Sequence, residues 1–211
     1  MLMLCAPSSA QENQEETTHY VFPEFTDGIV LKKNGIQQSA LLNYNSLTEE
    51  MVFEDQGLKL AIIEDEIIQI DTVFIKDREF IVLNRKFVEY LDLVNCDLYI
   101  EYRCRVKDPS KPSAYGGTSE ISSRESLSRY ISRGTLYEIN LPGNLVAEPY
   151  FYYWLNKNDK IGKFVNLRQL RKLYKGSEDI FKKYVRDNDV RYSDKQSIIR
   201  LINYLETYQV R

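Results

Sequence analysis

The chain has 211 residues, 43% hydrophobic and 28% charged, with 31 Asp+Glu against 28 Lys+Arg and a net charge of −3. These proportions exclude intrinsic disorder, and the length allows one domain, or one with an appended subdomain, to bury most of its apolar surface without disulfides. No run approaches the roughly 18 apolar residues of a membrane helix, and the one excess is tyrosine, 16 against 9 Phe and 1 Trp, which suits half-buried sheet positions.

Residues 1–10 read as the end of a truncated secretory signal peptide. Met1-Leu2-Met3-Leu4 is apolar, Pro7 breaks the run, and Ser8-Ser9-Ala10 supplies small residues for cleavage before a polar lead over 11–19. The mature chain is then expected to begin near Gln11. Cys5 raises a lipoprotein alternative, which the bulky Leu4 before it disfavours.

A β-rich body is expected over 20–165. Gly28–Lys33 and Ile36–Tyr44 flank Asn34-Gly35, a hairpin signal in which both residues accept φ > 0. Met51–Glu54 and Leu58–Ile62 flank Asp55-Gln56-Gly57, and Ile70–Ile75 and Glu79–Leu83 flank Lys76-Asp77-Arg78. Phe87–Leu93 and Cys96–Val106 follow, and such neighbours suggest a meander. Within the last strand Cys96 and Cys104 share an inward frame with Leu98, Ile100, Tyr102 and Val106. Eight strand residues span about 26 Å, whereas bridged Cα atoms lie within about 7 Å, so two buried free thiols are expected.

A long loop is expected over 107–134, with Pro109, Pro112, Gly116-Gly117, many serines and a short helix near Ser123–Ile131. Strands resume at Thr135–Leu141, Pro149–Leu155 and Lys160–Val165, the last two flanking Asn156–Asp159. From Asn166 the period becomes helical, defining a C-terminal helical subdomain over 166–211. Leu167, Leu170, Leu173 and Tyr174 mark one helix; Ile180, Phe181, Tyr184 and Val185 mark a second, entered at Ser177. Ser193-Asp194-Lys195-Gln196 fits a capping box before Ile198, Leu201, Ile202, Leu205 and Tyr208. So short a segment rarely holds its own core, so the helices should lean on the sheet. The fold class is α+β: an antiparallel meander or sheet body followed by a small three-helix C-terminal subdomain packed on it.

Charge divides along the same line. From Lys157 onward stand 14 Lys/Arg and 7 Asp/Glu, a balance of +7, leaving −10 on the rest. Solvated helix faces on an acidic body account for this; an anionic partner is the functional alternative.

Several spaced motifs resemble a family of exported Bacteroidota proteins of unknown function. They include Phe22-Pro23-Glu24-Phe25, Gly28-Ile29-Val30-Leu31, Ala40–Asn45, Met51-Val52-Phe53, Ile70–Ile75 and Ala114–Ser119, with the three-helix ending. The resemblance covers most of residues 20–208 and implies export; it implies no catalytic residue.

Chemistry-bearing patterns are sparse. The single histidine, His19, lies in the polar lead and leaves His-based triads without a base. Gly116-Gly117-Thr118-Ser119 lacks the Lys and the context of a phosphate loop, and Glu64-Asp65-Glu66 reads as a solvated turn rather than a calcium loop. No cofactor, metal or catalytic residues are assigned. The candidate binding surface comprises Tyr115, Gly116, Gly117 and Thr118 of the long loop and Tyr150, Tyr152 and Trp154, which alternation puts on one strand face. The expected function is a non-enzymatic envelope or secreted protein that binds another protein or a glycan. The alternatives are nucleic-acid binding by the basic helices in the cytoplasm, which is less expected, and a secreted hydrolase using carboxylates.

Overall fold

A computed structural model describes residues 19–112, 118–120 and 146–209. Among these residues, eleven strands form one antiparallel sheet. They are β1 Thr26–Lys32, β2 Gln37–Asn45, β3 Glu50–Asp55, β4 Leu58–Ala61, β5 Ile70–Ile75, β6 Arg78–Leu83, β7 Lys86–Leu93, β8 Cys96–Pro112, β9 Thr118–Glu120, β10 Val146–Lys157 and β11 Lys160–Phe164. The spatial order is β11-β10-β8-β7-β6-β5-β1-β2-β3-β4, with β9 on the far part of β8. Neighbours are sequential except at two steps, β10 beside β8 and β5 beside β1. After the β1–β4 meander the chain crosses back through α1, Glu64–Ile67, and β5 pairs with β1. Both edge strands are short, four residues in β4 and five in β11, which limits edge-to-edge association.

Turn chemistry explains the hairpins. Gln56-Gly57, Asn84-Arg85 and Asn158-Asp159 have positive φ at both positions, the twist that tight two-residue hairpins need. The β1–β2 connection differs from the expected two-residue turn. Only Gly35 is left-handed (φ 84°), and Lys32 N–H bonds to the Ile36 carbonyl around a three-residue loop. Glu64-Asp65-Glu66, expected as a solvated turn, opens the one-turn α1; Glu64 pairs with Arg85 and Glu66 with Lys32. The strand holding Cys96 runs past Val106 to Pro112 and pairs with β9, so the first part of the expected 107–134 loop is sheet. The remainder of that loop, the helix near Ser123–Ile131 and the strand Thr135–Leu141 lie outside the described residues.

The inner face of the sheet builds the core. Val73 faces Phe80 and Val30, Leu42 faces Phe53, and Leu98 and Ile100 face Leu155 and Tyr153. The sheet curls until β3 comes back beside β7, which stacks Tyr44 on Phe80 (6.0 Å between centroids) and sets Tyr102 against both. Gly28 lets β1 lie close to its neighbours, because a Cβ there would lie 2.6 Å from the Phe74 carbonyl oxygen and 2.7 Å from Leu42. His19, expected in the polar lead, is buried. It is 8% exposed, its carbonyl accepts from the Ser46 N–H and hydroxyl, and burial, then the Lys59 charge, lowers its pKa.

Three helices cover the rest of the inner face: α2 Leu167–Leu173, α3 Glu178–Asp187 and α4 Lys195–Gln209. Asn166 caps α2 by accepting from Gln169 N–H. The α4 cap is Asp194, one residue beyond the expected Ser193, accepting from the N–H groups of Gln196 and Ser197. Ile198, Leu201, Ile202 and Leu205 are buried in one cluster with Leu98, Ile100 and Leu155. Two buried carboxylates tie α4 to the sheet through half-buried lysines: Glu206 with Lys157 (2.8 Å) and Glu89 with Lys195 (3.1 Å). Glu89 also takes a bidentate pair from Arg78 and the Tyr102 hydroxyl. Its charge is thus fully compensated, as burial of a carboxylate requires. No helix among the described residues is long and apolar enough to cross a membrane.

Candidate functional site

Register on β10 assigns the aromatic cluster to two faces. Phe151, Tyr153 and Leu155 lie opposite Tyr102, Ile100 and Leu98 on the inner face. Tyr150, Tyr152 and Trp154 lie opposite Arg103, Glu101 and Tyr99 on the outer face, all three half-buried. The outer face therefore alternates rings and charges. The Arg105 guanidinium lies 4.5 Å from the Tyr150 centroid and that of Arg103 4.8 Å from Tyr152. From β11, opposite Trp154, the Lys163 ammonium lies 4.4 Å from Tyr152 and 4.7 Å from Trp154. Such contacts stabilise half-buried rings by about 0.5–2 kcal/mol each. They also occupy one face each of Tyr150, Tyr152 and Trp154, so none of the three rings is a bare stacking platform.

The carboxylates between the cations are as well ordered. Glu101, 5% exposed, accepts from Arg103 Nε at 3.0 Å, with Lys86 at 3.7 Å and Lys163 at 3.8 Å. Burial by itself would raise the Glu101 pKa; the Arg103 hydrogen bond and charge, with those of Lys163 and Lys86, hold it below the usual carboxylate range. Glu49 arrives from the β2–β3 turn, bonded by Lys86 and 3.2 Å from Arg103. Three cations thus surround two carboxylates.

Trp154, Leu83, Val88, Asn84, Lys86, Glu101, Arg103 and Lys163 enclose a recess of about 220 Å³. That is below the roughly 300–1,000 Å³ of drug-sized sites, so it admits one small ring or side chain. Its wall combines an indole and two aliphatic side chains with donors and acceptors fixed by ion pairing.

No protein-family model matches this chain, and neither a curated protein nor a solved structure matches it.

Two other concavities are chemically simpler. A cleft of about 740 Å³ beneath α1 is lined by Val30, Leu42, Phe53, Leu60, Ile62 and Ile70, and its Lys32 and Glu66 satisfy each other. A recess of about 530 Å³ beside α4 has the Glu89–Arg78–Lys195 tie as its floor.

Of the residues expected at a binding surface, Tyr150, Tyr152 and Trp154 stand together on one face as alternation requires. Thr118 stands in β9 opposite Pro112, while Tyr115, Gly116 and Gly117 lie outside the described residues. Sequence reasoning missed Arg103, Lys163, Lys86, Glu101 and Glu49. The first four were readable from strand alternation once β7, β8, β10 and β11 are set side by side. Glu49 was not, because only the curl of the sheet brings its turn to β7 and β8.

Proposed function

We propose that this chain is an exported, non-enzymatic binding protein of the cell envelope or secreted fraction, and that the outer-face recess recognises a sugar ring of a glycan. One observation carries the reading: Trp154 walls a recess of about 220 Å³ whose other polar walls are Asn84, Lys86, Glu101, Arg103 and Lys163. A sugar presents an apolar C–H face and an equatorial rim of hydroxyls. The exposed part of the Trp154 indole, beside the Lys163 ammonium, meets the first, and charged groups with fixed orientation meet the second through charge-assisted hydrogen bonds.

The carboxylate chemistry supports binding without hydrolysis. A glycosidase needs one carboxyl with a raised pKa to protonate the leaving group, whereas cations hold Glu101 ionised. Export is supported by the Met1–Ala10 pattern and by the resemblance to exported Bacteroidota proteins.

The test is calorimetric titration of wild type and Trp154→Ala against a panel of neutral and acidic oligosaccharides. Loss of the indole should weaken the best ligand about tenfold, some 1.4 kcal/mol, with the thermal melt little changed. Equal affinity in both proteins, or no oligosaccharide bound by wild type, overturns the reading.

A further inference from the structure

The described walls of the Trp154 recess do not balance in charge. Lys86, Arg103 and Lys163 stand there against Glu101, and Glu49, which pairs with Lys86 and Arg103, leaves one positive charge over. The surplus falls on Lys163. Arg103 donates from Nε to Glu101 at 3.0 Å and lies 3.2 Å from Glu49, and Lys86 donates to Glu49. The Lys163 ammonium has no hydrogen-bond acceptor among the described residues, and Glu101 is 3.8 Å away. Lys160 and Lys183 also lack an ion-pair partner among these residues, but neither lines the recess.

Strand register holds Lys163 in place. It stands on β11 opposite Trp154, its ammonium 4.7 Å from the indole centroid and 4.4 Å from that of Tyr152. The rings attract its charge, but a ring face is a weak acceptor for an N–H, and an ammonium carries three such donors. Solvent reaches 37% of the Lys163 side chain and meets these donors while the recess is open. An occupant that displaced this solvent without offering an acceptor would leave a charged donor unmet, which is costly. The recess therefore favours an occupant that sets an acceptor, best of all an anion, beside the indole.

We infer that Lys163 is the specificity-determining residue of the recess and that the sugar bound there is a hexuronic acid, an assignment that rests on reading the recess as a sugar site. The ring carboxylate accepts from the Lys163 ammonium through a charge-assisted hydrogen bond, while a C–H face of the same ring meets the exposed part of the indole. A uronic acid fits the charge, because its single negative charge matches the single surplus cation. It also fits the space. The carboxylate takes the place of the hydroxymethyl arm of a neutral hexose, so the ring stays within a recess of about 220 Å³, whereas a sulfate or phosphate ester adds several further atoms. A neutral sugar offers Lys163 only hydroxyl acceptors, and the ammonium of an amino sugar is repelled. An acidic peptide side chain brings the carboxylate without the flat C–H face.

The experiment titrates the full chain with trimers of galacturonic, glucuronic and mannuronic acid and with the methyl ester of each, which keeps the sugar and linkage and removes the charge. Trp154 is the single tryptophan, so its fluorescence reports the recess directly, and calorimetry follows Trp154→Ala. Wild type should bind the best trimer about tenfold more tightly than its ester, with added salt weakening only the acid. Lys163→Met keeps an apolar stem over the rings and should bind acid and ester alike, as wild type binds the ester; Lys163→Arg, which keeps the charge, should retain the preference. Equal binding of acid and ester by wild type, or a preference that survives in Lys163→Met, overturns the inference; the recess reading outlives either result if Trp154→Ala loses the ester. If Trp154→Ala binds both forms as wild type does, the recess reading falls and the inference falls with it. No binding of any trimer, or tighter binding of hexaglutamate, overturns the uronic acid as occupant.

Discussion

At the residue scale, partner geometry decides what a buried charge does. Glu101 is nearly inaccessible, yet Arg103, Lys86 and Lys163 keep its folded pKa depressed. A carboxylate depressed on folding contributes stability above its unfolded pKa, and this is lost as pH falls through the folded value. Denaturant midpoints of wild type should therefore fall as pH drops below about 4.3. Glu101→Gln should cost about 3 kcal/mol at neutral pH, because Arg103 is left under-compensated, and should flatten that acid limb. An unchanged acid limb would show that the network contributes nothing. The thiols obey the opposite logic. Burial, with the negative charge of Glu206 adding to it at Cys96, pushes Cys96 up to about 12; burial pushes Cys104 up to about 11. Both are free and buried on one frame of β8. A thiol reagent should label them slowly in the native protein and rapidly in denaturant, and mass spectrometry should find no Cys96–Cys104 disulfide.

At the element scale, α4 separates core from surface within one turn. Leu201 and Leu205 are 0% and 1% exposed, whereas Arg200 faces solvent, 3.7 Å from Asp194. Leu201→Ala should cost roughly 2–5 kcal/mol, since the facing strands cannot collapse into the space. Arg200→Glu should change stability by no more than about 0.5 kcal/mol. Urea melts of the two variants check the contrast. Helical periodicity made this stripe legible beforehand, and tyrosines at alternate positions made the faces of β10 legible too. The cap of α4 was legible only to within a residue, because Ser193 and Asp194 are both good cap residues and the packed position of the helix selects between them.

At the scale of the whole molecule, the helices are part of the sheet's core. Leu98, Ile100, Tyr153 and Leu155 are each at most 2% exposed, in one cluster with Leu170, Phe181 and Leu201. A fragment ending at residue 165 would uncover these side chains and is expected to aggregate; a soluble 11–165 fragment with a cooperative melt would contradict this. The sequence alone determined the α+β class, the placement of the described strands other than β9 and of the three C-terminal helices, the inward thiols and the shared face of Tyr150, Tyr152 and Trp154. All of these are local, set by side-chain period and turn chemistry. Only the tertiary structure decided that β5 returns to β1 and that the sheet curls until Glu49 meets Lys86 and Arg103. These contacts join residues up to 54 positions apart, as Glu49 and Arg103 are. No local pattern encodes such a pairing, because curl and crossover depend on how the whole inner face packs.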